Sequence, residues 1–183
     1  FWCVNSNEES LEFSRKAIGY SWSNLKKAID GEDVLDDLAK ASYFAGKAIN
    51  ITKTTAPHAL SYGFTTNYGI SHGHAVSLFL PFFINFHKNI DKENCNDSRG
   101  HLFVINQIKK IADILRVNFF DLEHEIMNFF NQLQIEINFN NKKISKKDFK
   151  KAIQGLNQDR LKNNPRFLLK EEIIDIYTFN SKY

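Results

Sequence analysis

The chain has 183 residues, of which 43% are hydrophobic, 25% charged and 14% aromatic. This globular profile excludes a disordered or collagen-like polymer, and the length suffices for one hydrophobic core. The formal net charge of +3 is too small to argue for a nucleic-acid partner. Cys3 and Cys95 are the only cysteines; they cannot form a disulfide framework or a Cys-x-x-Cys pair, so a reducing, cytoplasmic setting is expected. The apolar stretch from Ala75 to Ile84 falls well short of the ~20 residues a membrane-spanning helix needs, and no membrane partner is expected. The chain opens on Phe1-Trp2-Cys3-Val4 with no turn or cap, which reads as a segment with further chain upstream.

The apolar spacing is mostly helical. Ser6 and Glu9 read as a capping box, followed by a helical face of Leu11, Phe13, Ala17, Ile18, Trp22, Leu25 and Ile29 that ends at Gly31. A second helix is expected from Asp33 to Ile49, with small residues (Ala41, Ala45, Gly46, Ala48) that permit close helix approach. Pro57 suits the first turn of a third helix, Pro57 to Phe64, with a turn over Thr65 to Gly69. Ser71 is placed to cap a fourth helix to Asn89, apolar nearly all round and therefore central, with a kink at Pro81. Further helices are expected at Arg99–Leu115, Phe120–Gln134, Ser145–Gln154 and Lys170–Thr178. Residues 117–119 and 135–139 have some strand character but are too short to build a sheet. The expected class is all-α, a helical bundle forming a single domain over 1–183.

The chemistry-bearing stretch runs from Ala45 to Pro81. It holds His58, His72 and His74, three of the six histidines. His58 falls in the first turn of the third helix and His72 at the start of the fourth, so two helix starts facing each other across a Gly-containing turn can aim both imidazoles at one point. Imidazoles from separate elements suit a first-row divalent metal. Spacing alone leaves a second reading open, in which these are hydrogen-bonded structural histidines. Lys142, Lys143, Lys146, Lys147, Lys150 and Lys151 alternate with Ile144, Phe149 and Ile153, the pattern of a solvated amphipathic helix rather than of a phosphate or nucleic-acid site. No Gly-x-Gly-x-x-Gly loop occurs. Glu123, His124 and Glu125 point different ways on a helix, and neither cysteine has a basic neighbour to activate it.

Ala45-Gly46, Ala48, Asn50, His58-Ala59, the fourteen-residue step to His72-Gly73, and Leu80-Pro81 together resemble the signature of the iron-containing (group III) alcohol dehydrogenases. Asn164-Pro165-Arg166 with Glu171, Glu172, Ile173 and Ile176-Tyr177 resembles that family's closing helix, and Asn5 to Ser10 fits the segment after its Asp-x-x-x-His motif. The resemblance implies the C-terminal, dehydroquinate synthase-like helical half of such an enzyme, a fragment without the dinucleotide-binding domain. It implies His58 and His72 as two metal ligands, with the remaining ligands upstream of Phe1, and Fe2+ ahead of Zn2+ as the ion. Tyr62 stands where some members carry a histidine near the nicotinamide, and His74 lies two residues past a ligand; both are implied to be near substrate or cofactor. The implied reaction is hydride transfer between NAD(H) or NADP(H) and a small alcohol or aldehyde, with the combination around His58, Tyr62 and His72 pointing to phosphonoacetaldehyde-like substrates. A homo-oligomer is implied, and a chain inactive by itself. Two alternatives stand beside this. His72-Gly73-His74-Ala75-Val76 also echoes the His-Gly-x-Ala-Val element of 3-dehydroquinate synthase, a lyase with Glu where His74 stands, although Leu80-Pro81 and Asn164-Pro165-Arg166 favour the dehydrogenases. The other is a truncated, non-catalytic remnant.

Overall fold

A computed structural model describes residues 1–154, 156, 161–169 and 171–182. Among these residues there is no strand, only an isolated antiparallel bridge between Cys95 and Arg166, so the all-α expectation is met. Helix α1 (Glu8–Ile29) and α2 (Leu35–Thr52) form an antiparallel hairpin. Phe13 and Tyr20 of α1 both stack on Phe44 of α2, and the small residues Ala17, Ala41 and Ala48 are buried along the pair. The capping box is present one residue later than expected. Asn7 Oδ1 accepts from the Ser10 amide at 2.9 Å, and the Asn7 amide donates to Ser10 Oγ at 2.9 Å. Ser6 is drawn out of the helix because its carbonyl accepts from Arg99 (2.6 Å), whose guanidinium also gathers the Cys3 and Val4 carbonyls.

Helix α3 covers Ala56–Tyr68, a turn longer than its sequence suggests. Thr65, Thr66 and Asn67 are poor helix formers. Tertiary contacts override them: Phe64 is fully buried, and the Tyr68 hydroxyl reaches the Asp148 carbonyl and carboxylate at 3.2 and 3.3 Å. Gly69 ends the helix in the left-handed region at φ 64°, where a side chain would be strained.

The expected fourth helix is two helices. Helix α4 spans His72–Ser77 and α5 spans Leu80–Lys88. Pro81 lacks an amide hydrogen and its ring opposes the carbonyl four residues back, that of Ser77, so α4 ends at Ser77 and Pro81 sits in the first turn of the next helix. In the break, the Leu78 carbonyl accepts from the buried Asn180 side chain at 2.5 Å. Helix α6 (His101–Leu115), a 3-10 turn (Phe119–Asp121), α7 (Leu122–Gln132), α8 (Lys146–Ala152) and α9 (Glu172–Asn180) complete the described elements. The expected start of the last helix, Lys170, lies outside the described residues. Helix α5 is central, as expected: Phe82, Phe83, Ile84, Phe86 and His87 are all buried. A second aromatic nucleus joins Phe64, Phe79, Phe139 and Phe149, all without exposed surface. Burial of each such side chain contributes roughly 2–3 kcal/mol.

Candidate functional site

His58 is the third residue of α3, and His72 the first of α4. The turn at Gly69–Ser71 folds α4 back beside α3 and brings the two imidazole rings to a centroid separation of 5.4 Å, with their planes 61° apart. Tyr62 follows His58 by one helical turn on the same face, and its ring centre lies 5.5 Å from that of His72. His72 and Tyr62 are exposed, and His58 is half-buried. Three rings from α3 and α4 thus share one open face.

His74 does not join them. Two residues along a helix is a rotation of about 200°, so its side chain leaves the far side of α4. Its Nε2 sits 2.6 Å from the Glu136 carbonyl, which requires the tautomer with hydrogen on Nε2. That contact ties α4 to the segment following α7. The sequence gives no hint of Glu136 as a partner, because the contact is between a side chain and a backbone carbonyl 62 residues apart.

The start of α3 is held by groups from both ends of the chain. Trp2 Nε1 donates to Thr55 Oγ1 at 3.2 Å. Asn163 Nδ2 donates to the Thr52 and Thr54 carbonyls at 2.7 and 3.1 Å. The residues of Asn164-Pro165-Arg166 act structurally. Arg166 donates to the Phe86 carbonyl (2.7 Å), pairs with Glu172 (2.9 Å) and stacks on the Phe86 ring at 3.8 Å. Cys3 is buried, donates to the Thr52 carbonyl, and has its thiol pKa pushed up by burial, which makes it a poor nucleophile. Glu123 is engaged with Lys88 at 2.6 Å.

Two imidazoles bound to one tetrahedral ion through nitrogens at about 2.0–2.1 Å have ring centres about 5 Å apart. The spacing of His58 and His72 is compatible with a shared ion, and neutral imidazole is a suitable donor for iron or zinc. Among the described residues no group of three or more His, Cys, Asp or Glu side chains converges; His58 and His72 come together as a pair. A separate apolar cavity of about 400 Å³, bordered by Trp2, Ile18, Trp22, Leu80, Ile84 and Phe129 among others, lies between α1 and the α5–α7 layer. Among the described residues no helix is long and apolar enough to cross a membrane.

Comparison with known proteins bears on the family and the fold of the chain. Phosphonoacetaldehyde reductase from Streptomyces viridochromogenes is 27% identical over 117 residues, covering 62% of this chain and 29% of that protein. Sulfoacetaldehyde reductase from Bifidobacterium kashiwanohense, solved in complex with NAD+, shares the fold with a TM-score of 0.80 at 19% identity, over 99% of this chain and 46% of that one. An iron-containing alcohol dehydrogenase from Thermotoga maritima gives 0.75 at 24% identity, over 100% of this chain and 45% of that one. The chain therefore spans less than half the length of these relatives. The sequence profile of the C-terminal region of the Fe-containing alcohol dehydrogenases matches residues 1–180, nearly the whole chain and both histidine-bearing helices, and the chain belongs to that family.

Proposed function

We propose that this chain is the metal-holding helical part of an NAD(P)-dependent alcohol dehydrogenase or aldehyde reductase, with the dinucleotide bound mainly by a further domain. The observation that carries this reading is the His58–His72 ring pair at 5.4 Å, set at two helix starts in a chain of this family. His58 and His72 would hold a divalent metal, Fe2+ ahead of Zn2+, which would supply Lewis acidity toward the substrate oxygen, while a bound nicotinamide would supply or accept the hydride. The protein's part is orientation. His58 and His72 present their imidazoles from two elements, so the pair is fixed by packing rather than by one flexible loop. His74 holds α4 at its register through Glu136. The Tyr62 phenol borders the same face, and on this reading it is the group that meets the substrate or the cofactor. The substrate class favoured by the curated relative is a phosphonoacetaldehyde-like aldehyde.

The test is His72→Ala in the complete enzyme. Metal content measured on soluble protein should fall steeply and metal-dependent turnover should be lost, because one of the imidazole donors is gone. A variant with normal metal content and a normal rate would overturn the assignment of both histidines.

A further inference from the structure

Resting on the reductase reading, we propose that the lysine-rich helix α8 gives the site a positive field that selects small aldehydes bearing a tetrahedral oxyanion, a phosphonate or a sulfonate. Between Glu136 and Gln154 the chain has six lysines and two carboxylates, whereas the whole chain carries a net charge of +3. The rest of the chain is therefore close to neutral, and the positive charge is gathered in this one segment. The fold brings that segment to the helix that carries His58 and Tyr62. Helix α8 lies against α3 so closely that the Ala152 carbonyl oxygen would stand 1.8 Å from a Cβ built on Gly63, and the Ala152 Cα 3.0 Å from it. Tyr68 fastens the other end of α8 through Asp148. Gly63 adjoins Tyr62, and Ala152 adjoins Lys151. Adding one 3.8 Å step on each side places the Lys151 Cα within about 12 Å of the Tyr62 Cα.

The lysines keep their charge available. Phe149 and Ala152 bury the inner face of α8, while Lys146, Lys147, Lys150 and Lys151 are exposed. Asp148, the one carboxylate on α8, accepts from the Ser145 amide and hydroxyl and from the Tyr68 hydroxyl, and four lysines against this one carboxylate leave the helix positive. With a rise of about 1.5 Å per residue the lysines of α8 lie within about 12–20 Å of the Tyr62 Cα, one and a half to two and a half Debye lengths at physiological salt and within one at 10 mM. They steer an approaching anion without contacting it. Summed over the segment, Coulomb attraction screened by salt gives about a tenfold gain in kcat/KM for a dianion at low salt, about threefold for a monoanion, and none for a neutral aldehyde.

The experiment measures kcat/KM of the complete enzyme from 10 mM to 0.3 M NaCl with phosphonoacetaldehyde, sulfoacetaldehyde and propanal. The same series is run on a variant with Lys146, Lys147, Lys150 and Lys151 all changed to Gln. Rates with the two anions should fall with salt in the order of their charge, and the variant should lose both the advantage and the salt slope while its propanal rate is unchanged. Turnover of all three aldehydes with equal salt slopes in both proteins would overturn the proposal and leave the reductase reading standing. Absence of turnover with any aldehyde would strike the reductase reading instead. In that case the field is read directly on the 183-residue chain, from the relaxation of the Tyr62 ring protons by anionic and cationic nitroxide co-solutes. Preference for the anionic probe, lost in the lysine variant, supports the field; equal relaxation by both probes overturns it.

Discussion

Replacing His87 by leucine should flatten the acid side of the stability curve. His87 has no exposed surface. Its ring is packed against Trp2 at 4.9 Å and against Phe83 and Phe86 at 5.7 Å, and neither ring nitrogen makes a hydrogen bond. Burial pushes its pKa from 6.5 down to about 3, with the nearby Asn164 side chain opposing the shift and the Arg166 charge adding to it. A histidine held neutral in the fold takes up a proton first in the unfolded chain, so its contribution is complete above pH 6.5 and is lost progressively as the pH falls toward 3. Between pH 8 and pH 5 the loss is about 2 kcal/mol. Leucine is of similar size and does not titrate. Urea unfolding of both proteins at pH 8 and pH 5 gives the comparison, since every other titrating group is shared and cancels. The wild type should lose about 2 kcal/mol more than His87→Leu over that interval. Equal acid sensitivity would refute the reasoning, for it would mean that the imidazole is charged or solvated in the folded state.

Gly63→Ala should destabilise the chain by about 2–3 kcal/mol, a fall in Tm of about 5–10 °C, because the new methyl meets the Ala152 backbone rather than a movable side chain; an unchanged Tm by calorimetry would contradict the close α3–α8 contact. His74→Ala should cost about 1 kcal/mol through the lost bond to the Glu136 carbonyl. In the complete enzyme it should retain most of the metal, with activity reduced by about 10–100-fold; loss of metal equal to that of His72→Ala would place His74 among the ligands.

Much of the fold is legible because helical periodicity and proline are local signals. Leu11 to Ile29 fixes α1, and the apolar run from Ala75 to Ile84 marks the centre of the molecule. The errors occur where a distant group decides. Ser6 leaves its expected capping position because Arg99 takes its carbonyl. Residues 65–68 stay helical because Tyr68 finds Asp148 eighty residues away. The chain breaks rather than kinks before Pro81 because Asn180 accommodates the Leu78 carbonyl within the break. The same distinction applies to the site. The residue types and step of His58 and His72 can be read along the chain, but the separate direction of His74 depends on which side of α4 faces residue 136.

The long-range bonds also bear on the geometry of the pair of imidazoles. His58 and His72 are separated by the rest of α3 and the turn at residues 69–71, and holding two such side chains together costs conformational entropy. The structure meets that cost through folding rather than at the moment of binding. The segment entering α3 is fixed by Trp2 and Asn163. Helix α4 is fixed on its far side by Glu136 and just beyond its end by Asn180. None of these residues belongs to the site, yet each removes freedom from one of the two ring-bearing segments. A pair held this way needs little rearrangement to accept a ligand, so affinity depends on the donors supplied to it more than on ordering the site. This explains why the sequence signals with the most evident chemistry, two histidines at the starts of α3 and α4, depend for their geometry on asparagines and a tryptophan that have no chemistry of their own.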